Sequence, residues 1–177
     1  MRITRGMKTP KTILIVIGSL GLGFLLFVTI GFLIFWFGVS NERLLVNAAR
    51  KNDLEAIKKI QAKGISLDAL ENGMLGQTAL IASTFTEHTN AFSYLLANGV
   101  NVNARSRDGK TALMTAVMLG DGNVAKTKAL IEAGADVNAR NHGASVLQYA
   151  EWASQGRTSG FSVTNTINLL KEHGATN

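Results

Sequence analysis

The sequence predicts an all-α protein, a helical repeat solenoid of about four helix-turn-helix units preceded by one N-terminal transmembrane helix. Two observations predict this architecture. Residues 12–41 contain no charged side chain, which is typical of a membrane span. Residues 41–177 repeat short phrases with a period of about 33 residues, which is typical of proteins whose units bury their apolar faces only by stacking. We therefore divide the chain into a basic tail at 1–11, a span at 12–39 and a repeat domain at 41–177.

The net charge of +6 belongs mainly to the tail. Arg2, Arg5, Lys8 and Lys11 contribute +4 without an acidic residue, so 14 of the 18 basic residues remain against all 12 acidic ones. A nucleic-acid-binding domain needs a clustered basic face on its folded part, and the sequence after the span has none. We therefore expect no nucleic acid partner. The absence of cysteine excludes disulfides, thiolate zinc sites and cysteine nucleophiles.

The apolar span is long enough to cross a bilayer as a helix. Between Ile13 and Phe37 the only polar side chains are Ser19 and Thr29. A helix of about 25 residues, with a rise of about 1.5 Å per residue, is ~37 Å long, which exceeds the ~30 Å thickness of the hydrocarbon core. A cleaved signal peptide has a shorter apolar region of ~7–15 residues. We therefore expect an uncleaved signal anchor, and the small residues at 38–40 keep cleavage open as the alternative.

The charges around the span predict its orientation. Basic flanking residues tend to stay in the cytoplasm, so we expect the tail there and the repeat domain outside the cytoplasm, in the periplasm if the organism is a bacterium. Ser19 and Gly23 form a small-xxx-small pair, which lets two membrane helices approach closely. This pair would allow a homodimer through the membrane helix.

Glycine-led phrases carry the repeat. The phrase at 76–80 recurs at 109–113 and again at 143–147. A second phrase, which ends in Asn-Ala-Arg, occurs at 95–105 and again at 130–140. In these phrases the chain resembles the ankyrin repeat family, whose unit has about 33 residues. The resemblance implies an ankyrin-type solenoid, in which the helices of each unit pack against those of the next.

The resemblance implies four units, at about 41–69, 70–105, 106–140 and 141–177. The first lacks the glycine-led phrase, as expected of a terminal capping repeat. We expect helix N-caps at Thr78, Thr111 and Ser145, and left-handed helix ends at Gly64, Gly99, Gly134 and Gly174. In the third unit, Val124, Ala125, Ala129 and Leu130 have the spacing of a helix face that packs on the neighbouring units. An insertion at 155–160 lengthens the loop of the fourth unit.

The sequence offers no arrangement that points to catalysis. His88, His142 and His173 lie in different units, and no metal-binding histidine spacing or nucleophile elbow occurs. We therefore expect no enzyme activity, no metal and no cofactor.

Two function classes remain. Ankyrin-like proteins generally bind other proteins, so the resemblance implies a membrane-tethered interaction module that binds a partner protein at the membrane surface, with an inhibitor or immunity-type role as one specialisation. The alternative is a structural or assembly spacer that oligomerises through its membrane helix. A binding module should carry an exposed apolar patch on its inner face, whereas a spacer should be polar there.

The resemblance also implies where the partner binds, namely at the turn residues around the shared glycine and late in each first helix. Those positions hold Arg50, Lys51, Met74, Leu75, Gln77, Phe85, Arg107, Asp108, Lys110, Met118, His142 and Trp152. Phe85, Met118 and Trp152 follow one another at the repeat period, so stacking aligns them as an apolar column, which we expect Arg107 and Lys110 to flank. The alternative is that these three side chains are buried between adjacent units.

Overall fold

The computed structural model describes residues 41–155 and 162–177, which form four consecutive helix pairs. Residues 41–50 belong to the first helix, α1. The others are α2 (Leu54–Ala62), α3 (Ala79–Ser83), α4 (Asn90–Ala97), α5 (Ala112–Met118), α6 (Val124–Glu132), α7 (Val146–Gln155) and α8 (Thr164–Glu172). A short 3-10 helix, Gly120–Asn123, precedes α6.

A small hairpin departs from the all-helical prediction. Strands β1 (Arg140–Asn141) and β2 (Ala144–Ser145) pair antiparallel in front of α7. The residues between them, His142 and Gly143, have φ of 49° and 83°. Positive φ at both central residues is the requirement of the tight two-residue hairpin turn. His142 therefore serves the turn geometry of this loop.

The predicted N-caps are confirmed. The hydroxyl of Thr78 accepts a hydrogen bond from the backbone N–H of Ile81 at 3.2 Å, and Thr111 accepts one from Met114 at 3.2 Å. Ser145 accepts one from Gln148 at 3.2 Å. Each hydroxyl satisfies an N–H that has no partner inside its helix, so the repeated Thr or Ser explains why a helix begins at the same place in each unit.

The predicted left-handed helix ends are also confirmed. The four glycines that follow α2, α4, α6 and α8 have φ of 81°, 68°, 87° and 82° at Gly64, Gly99, Gly134 and Gly174. A glycine there avoids the steric cost that a Cβ carries in this conformation.

Stacking of the units builds one continuous core. The first helices α3, α5 and α7 pack on one another in sequence, and α2 packs on α4 and α6 on α8. The largest fully buried side chains come from every unit: Leu45, Ile57, Ile81, Leu95, Leu113, Met114, Leu130 and Leu170. Ala48 and Ala49 are buried in the first unit as well.

The packing face of α6 differs from the prediction. Leu130 is buried as expected, but Ala125 is exposed, while Val124 and Ala129 are only partly buried. Lys126 and Thr127 are buried in their place, at 3% and 0% exposure. The prediction was wrong for Ala125 and holds only in part for Val124 and Ala129. Lys126 is buried because its ammonium group donates to backbone carbonyls of the preceding unit.

The repeated Asn-Ala-Arg phrase joins neighbouring units. The side chain of Asn103 accepts from the N–H of Asp136 at 2.8 Å and donates to the carbonyl of Gly134 at 3.0 Å. Asn138 accepts from Thr176 N–H at 2.8 Å and donates to Gly174 O at 3.1 Å. One asparagine per unit thus satisfies polar backbone groups at the end of the next unit.

Several of the sequence predictions, among them the basic tail at 1–11 and the Ser19–Gly23 pair, concern residues that the structure does not describe. The transmembrane span at 12–39 and the insertion at 155–160, apart from Gln155, lie outside the described residues. Within 41–155 and 162–177, no helix combines the length and apolar character that crossing a bilayer requires.

Candidate functional site

A groove of roughly 280 Å³ lies between the second and third units. We call it the main groove, and its lining residues are Leu75, Gln77, Ile81, Phe85, Ser106, Asp108, Lys110, Thr115, Met118 and Leu119. They come from the loops that precede α3 and α5 and from the late turns of these two helices. Stacking of α3 on α5 therefore brings together positions that are one repeat period apart in sequence, such as Phe85 and Met118.

The apolar column predicted from the sequence is exposed. Phe85, Met118 and Trp152 are 50%, 46% and 52% exposed, so the alternative in which they are buried between units is not realised. Phe85 and Met118 line the main groove. Trp152 is not among its lining residues and packs edge-on against Tyr149, with 5.2 Å between the ring centroids. The partner-binding role of these side chains stays a prediction.

Backbone interactions hold Phe85 in place from the third unit. The carbonyl oxygens around it accept hydrogen bonds from α6 and its N-cap: Lys126 Nζ donates to Ser83 O at 2.8 Å and also to Thr86 O, and Asn123 Nδ2 donates to Thr84 O at 3.0 Å. These hydrogen bonds hold the backbone turn after α3, which carries Phe85, against the third unit.

Lys126 is the buried cation of this arrangement. Its ammonium group also lies 5.6 Å from the ring centroid of Phe92, within cation–π range. Among the described residues no carboxylate pairs with it, and burial lowers the pKa of Lys126. Lys126 therefore takes part in packing between units, a role that is not expected of a charged residue from the sequence alone.

A compact turn forms the wall of the main groove on the side of the third unit. The hydroxyl of Ser106 donates to Asp108 Oδ1 and accepts from the N–H of Lys110. Lys110 Nζ lies 2.8 Å from Asp108 Oδ2. Burial alone would raise the pKa of Asp108, but the hydrogen bonds from Lys110 and Ser106 and the charge of Lys110 outweigh it, so the pKa of Asp108 is lowered.

Two arginines adjoin the main groove without contacting a carboxylate. Arg50 Nη2 donates to Gln77 Oε1 at 2.8 Å, and its Nη1 donates to Asn47 Oδ1 at 3.3 Å. Arg107 Nη1 donates to the carbonyl oxygen of Gly73 at 2.5 Å. In the described part of the chain, neither forms an ion pair of the kind that joins Lys110 to Asp108.

Of the two residues expected to flank the apolar column, Lys110 lies beside Phe85 and Met118, and Arg107 does not line the groove. Lys110 lines the main groove, whereas the guanidinium of Arg107 reaches back to the loop before α3. The backbone N–H of Arg107 also donates to Leu75 O at 3.0 Å and Gly76 O at 3.2 Å. These bonds join the loops of the second and third units.

A second groove of roughly 470 Å³ continues from the first. It shares Phe85 and Leu119 with the main groove and is otherwise lined by Thr84, Thr86, Glu87, Gly122 and Asn123. Its lining contains the carboxylate of Glu87 and no cationic side chain. The lining of the second groove is therefore acidic, with the buried ammonium group of Lys126 bonded to the carbonyl of Thr86, one of its residues.

The structure brings half of the predicted site residues together. Leu75, Gln77, Phe85, Asp108, Lys110 and Met118 line the main groove. Lys51, Met74, Arg107, His142 and Trp152 do not, and Arg50 touches it through Gln77. Met74 is 93% exposed in the loop before α3, and His142 is exposed in the hairpin turn.

Sequence reasoning missed four lining residues, which are Ile81, Ser106, Thr115 and Leu119. The Ser106-x-Asp108 spacing, typical of a side-chain-stabilised turn, could have indicated Ser106. No group of histidine and acidic side chains within 41–155 and 162–177 could hold a metal ion.

Comparison with known proteins shows similarity to one protein family and to two longer proteins. A family model described as ankyrin repeats matches residues 45–141 in three copies, more than half of the chain. Protein HOS4 of Saccharomyces cerevisiae is 39% identical over 111 residues, which cover 59% of this chain and 10% of that protein. An L-asparaginase of Dirofilaria immitis is 31% identical over 139 residues, which cover 75% of this chain and 21% of the enzyme. The chain thus spans about a tenth and a fifth of the lengths of these two relatives.

Proposed function

The chain belongs to the ankyrin repeat family, and from this premise we propose that it binds a partner protein at the main groove while a membrane helix holds it at a bilayer surface. Ankyrin repeats are protein-interaction modules, so the general function follows from family membership. The site and the membrane tether are proposals.

The observation that carries the proposed site is the half-exposed pair Phe85 and Met118 across the main groove. Exposed apolar side chains that lie together mark contact sites on protein surfaces, and aromatic residues and methionine are enriched in interface cores. A structural spacer does not need an exposed apolar pair and would have polar residues at these two positions. The apolar lining therefore favours the binding module over the spacer.

The membrane tether rests on the sequence of residues 12–39 and on the basic tail before them. The proposal places the repeat domain outside the cytoplasm. Alkaline phosphatase fused after Asn177 should then be active and fractionate with membranes. An inactive fusion, or a mature chain that begins near residue 41, would contradict the tether and its orientation.

The inhibitor or immunity-type role stays a prediction. It requires that the partner be an enzyme whose activity falls when this chain binds. The alignment with L-asparaginase covers a fifth of that enzyme, which is too small a part to transfer its activity. We therefore propose no asparaginase activity for this chain.

The test of the binding site compares three forms of the full-length chain in quantitative capture of native proteins. The double variant Phe85→Ala/Met118→Ala removes the apolar centre of the main groove. Leu70→Ala is the matched control, because Leu70 is 44% exposed and does not line the groove. We expect the double variant to lose at least tenfold in recovery of a specific partner, as the truncation of interface anchors does, and the control to retain it. Equal recovery by all three forms would refute the site.

A further inference from the structure

The charges around the main groove indicate which chemistry its partner carries. We propose that the partner inserts an apolar side chain between Phe85 and Met118 and places a carboxylate next to it, on the side of the loops that precede α3 and α5. The inference rests on the proposed binding function and specifies the partner of that same site as an acidic, apolar protein segment.

The loop side of the main groove carries more positive than negative charge. Arg50, Arg107 and Lys110 are cationic there, against the carboxylates of Asp108, which lines the main groove, and of Glu71, which is buried in the loop before α3 beside Gly73. Asp108 is already paired with Lys110 at 2.8 Å and receives a hydrogen bond from Ser106. In the described part of the chain, neither arginine forms an ion pair with a carboxylate, so the loop side keeps a surplus of positive charge.

The two arginines use only part of their hydrogen-bond donors on the chain itself. A guanidinium has five N–H donors. Arg50 uses two nitrogen atoms on the amide oxygens of Gln77 and Asn47, and Arg107 uses one on the carbonyl of Gly73. These neutral acceptors position each side chain and leave donors open for a carboxylate, the acceptor that a guanidinium fork matches best.

The side of Phe85 that faces away from these loops carries a negatively charged side chain. Glu87 lines the second groove, and no cationic side chain does. A carboxylate of the partner is therefore attracted at the loop side, whereas beyond Phe85 the exposed charged side chain is Glu87 and the ammonium group of Lys126 is buried on Ser83 O and Thr86 O. This difference gives a bound segment one favoured direction, because like charges placed together disfavour the reverse orientation.

The same charges argue against two other occupants. The chain's own tail carries Arg2, Arg5, Lys8 and Lys11 with no acidic residue, so its charge matches that of the loop side. A second copy of the repeat domain would bring the same cationic loops to the groove in a symmetric contact. An acidic partner segment remains the complementary one.

The experiment selects peptides from a random phage-displayed library on the immobilised full-length chain, held in detergent micelles. We expect the enriched peptides to carry aspartate or glutamate beside a large apolar residue. A synthetic peptide of the enriched sequence, labelled with fluorescein, should then bind in fluorescence anisotropy and weaken as salt is raised. Arg50→Gln/Arg107→Gln should lower its affinity by about tenfold, because each charge-assisted hydrogen bond contributes more than a neutral one. Lys58→Gln/Lys128→Gln is the matched control for a loss of two positive charges at the second helices, and it should leave the affinity unchanged.

The outcomes separate this inference from the proposed function. Peptides that are apolar without acidic residues, and that lose binding in Phe85→Ala/Met118→Ala, would overturn the charge inference and retain the binding site. Peptides whose binding does not depend on Phe85 and Met118 would refute the site itself. A dimer in light scattering that Phe85→Ala/Met118→Ala dissociates would show a second copy in the groove and overturn the acidic partner. Tighter peptide binding after Arg2, Arg5, Lys8 and Lys11 are replaced by glutamine would identify the tail as the occupant, with the same consequence.

Discussion

Replacing Gly109 by alanine should destabilise the repeat domain more than the same change at Gly134. Both glycines lie in the third unit, and their φ angles are 81° and 87°. In this conformation a Cβ costs roughly 1–2 kcal/mol at either position. The loss of unfolded-chain entropy that alanine brings is also common to both. The comparison therefore isolates what the new methyl group contacts.

The contacts differ sharply. Beyond its two chain neighbours, a Cβ at Gly134 would have no atom within 4 Å, whereas a Cβ at Gly109 would lie 2.4 Å from Asn141 Oδ1. Asn141 must then move, although its Nδ2 donates to Asp108 O at 3.1 Å and to the hydroxyl of Tyr149 at 3.1 Å. At ~0.5–1.5 kcal/mol for each hydrogen bond, Gly109→Ala should cost about 1–3 kcal/mol more than Gly134→Ala.

The assay is urea unfolding followed by circular dichroism at the helical band, with the free energy of unfolding extrapolated to water. A double-mutant cycle sharpens it: in an Asn141→Ala background the obstructing side chain is gone, so Gly109→Ala should cost no more than Gly134→Ala. Equal losses at the two glycines in the wild-type background, or no coupling between positions 109 and 141, would refute the argument.

Four further results are expected. Asp121→Ala should lower the free energy of unfolding by about 1–2 kcal/mol, because the carboxylate accepts from the N–H and hydroxyl of Thr166 at 2.9 Å and 3.0 Å in the first turn of α8. Burial alone would raise the pKa of Asp121, yet hydrogen bonds from Ser162, Thr166 and Asn165 lower it below 3.8. Its stabilisation is therefore present above pH 3.8 and lost as the pH falls through the lowered pKa, so the difference between wild type and Asp121→Asn should shrink on acidification. Trp152→Ala should shift the melting temperature far less than Leu130→Ala, since these side chains are 52% and 0% exposed, and a large shift for Trp152→Ala would place it in the core. A fragment of residues 41–177 should unfold cooperatively without lipid or metal, and a non-cooperative transition would show that the repeats depend on residues 1–40.

Local signals in the sequence determined the helical repeat. Thr78, Thr111 and Ser145 cap their helices as predicted, and the glycines that end the second helices adopt the expected left-handed conformation. These features depend on the backbone groups within a few residues of each other. They can be predicted because the chemistry that satisfies a helix end is the same wherever the helix lies.

Part of the candidate site followed from the period alone. Stacked units place equivalent positions side by side, so the spacing of Phe85 and Met118 by one repeat period was sufficient to predict that they belong together. The exposure of the apolar column could not be read in this way, because an apolar residue late in a first helix can face either the neighbouring unit or the surface.

Contacts between units were decided only by the tertiary structure. The sequence alone suggests a surface position for Lys126, yet the side chain is buried because the carbonyls of Ser83 and Thr86 accept hydrogen bonds from it. Arg107 was expected beside the apolar column, and the carbonyl of Gly73 draws it to the preceding loop instead. These acceptors belong to the preceding unit and are far from Lys126 and Arg107 in sequence. Periodicity specifies which units touch, whereas the direction of a long polar side chain depends on which distant backbone groups the packing has left without a partner.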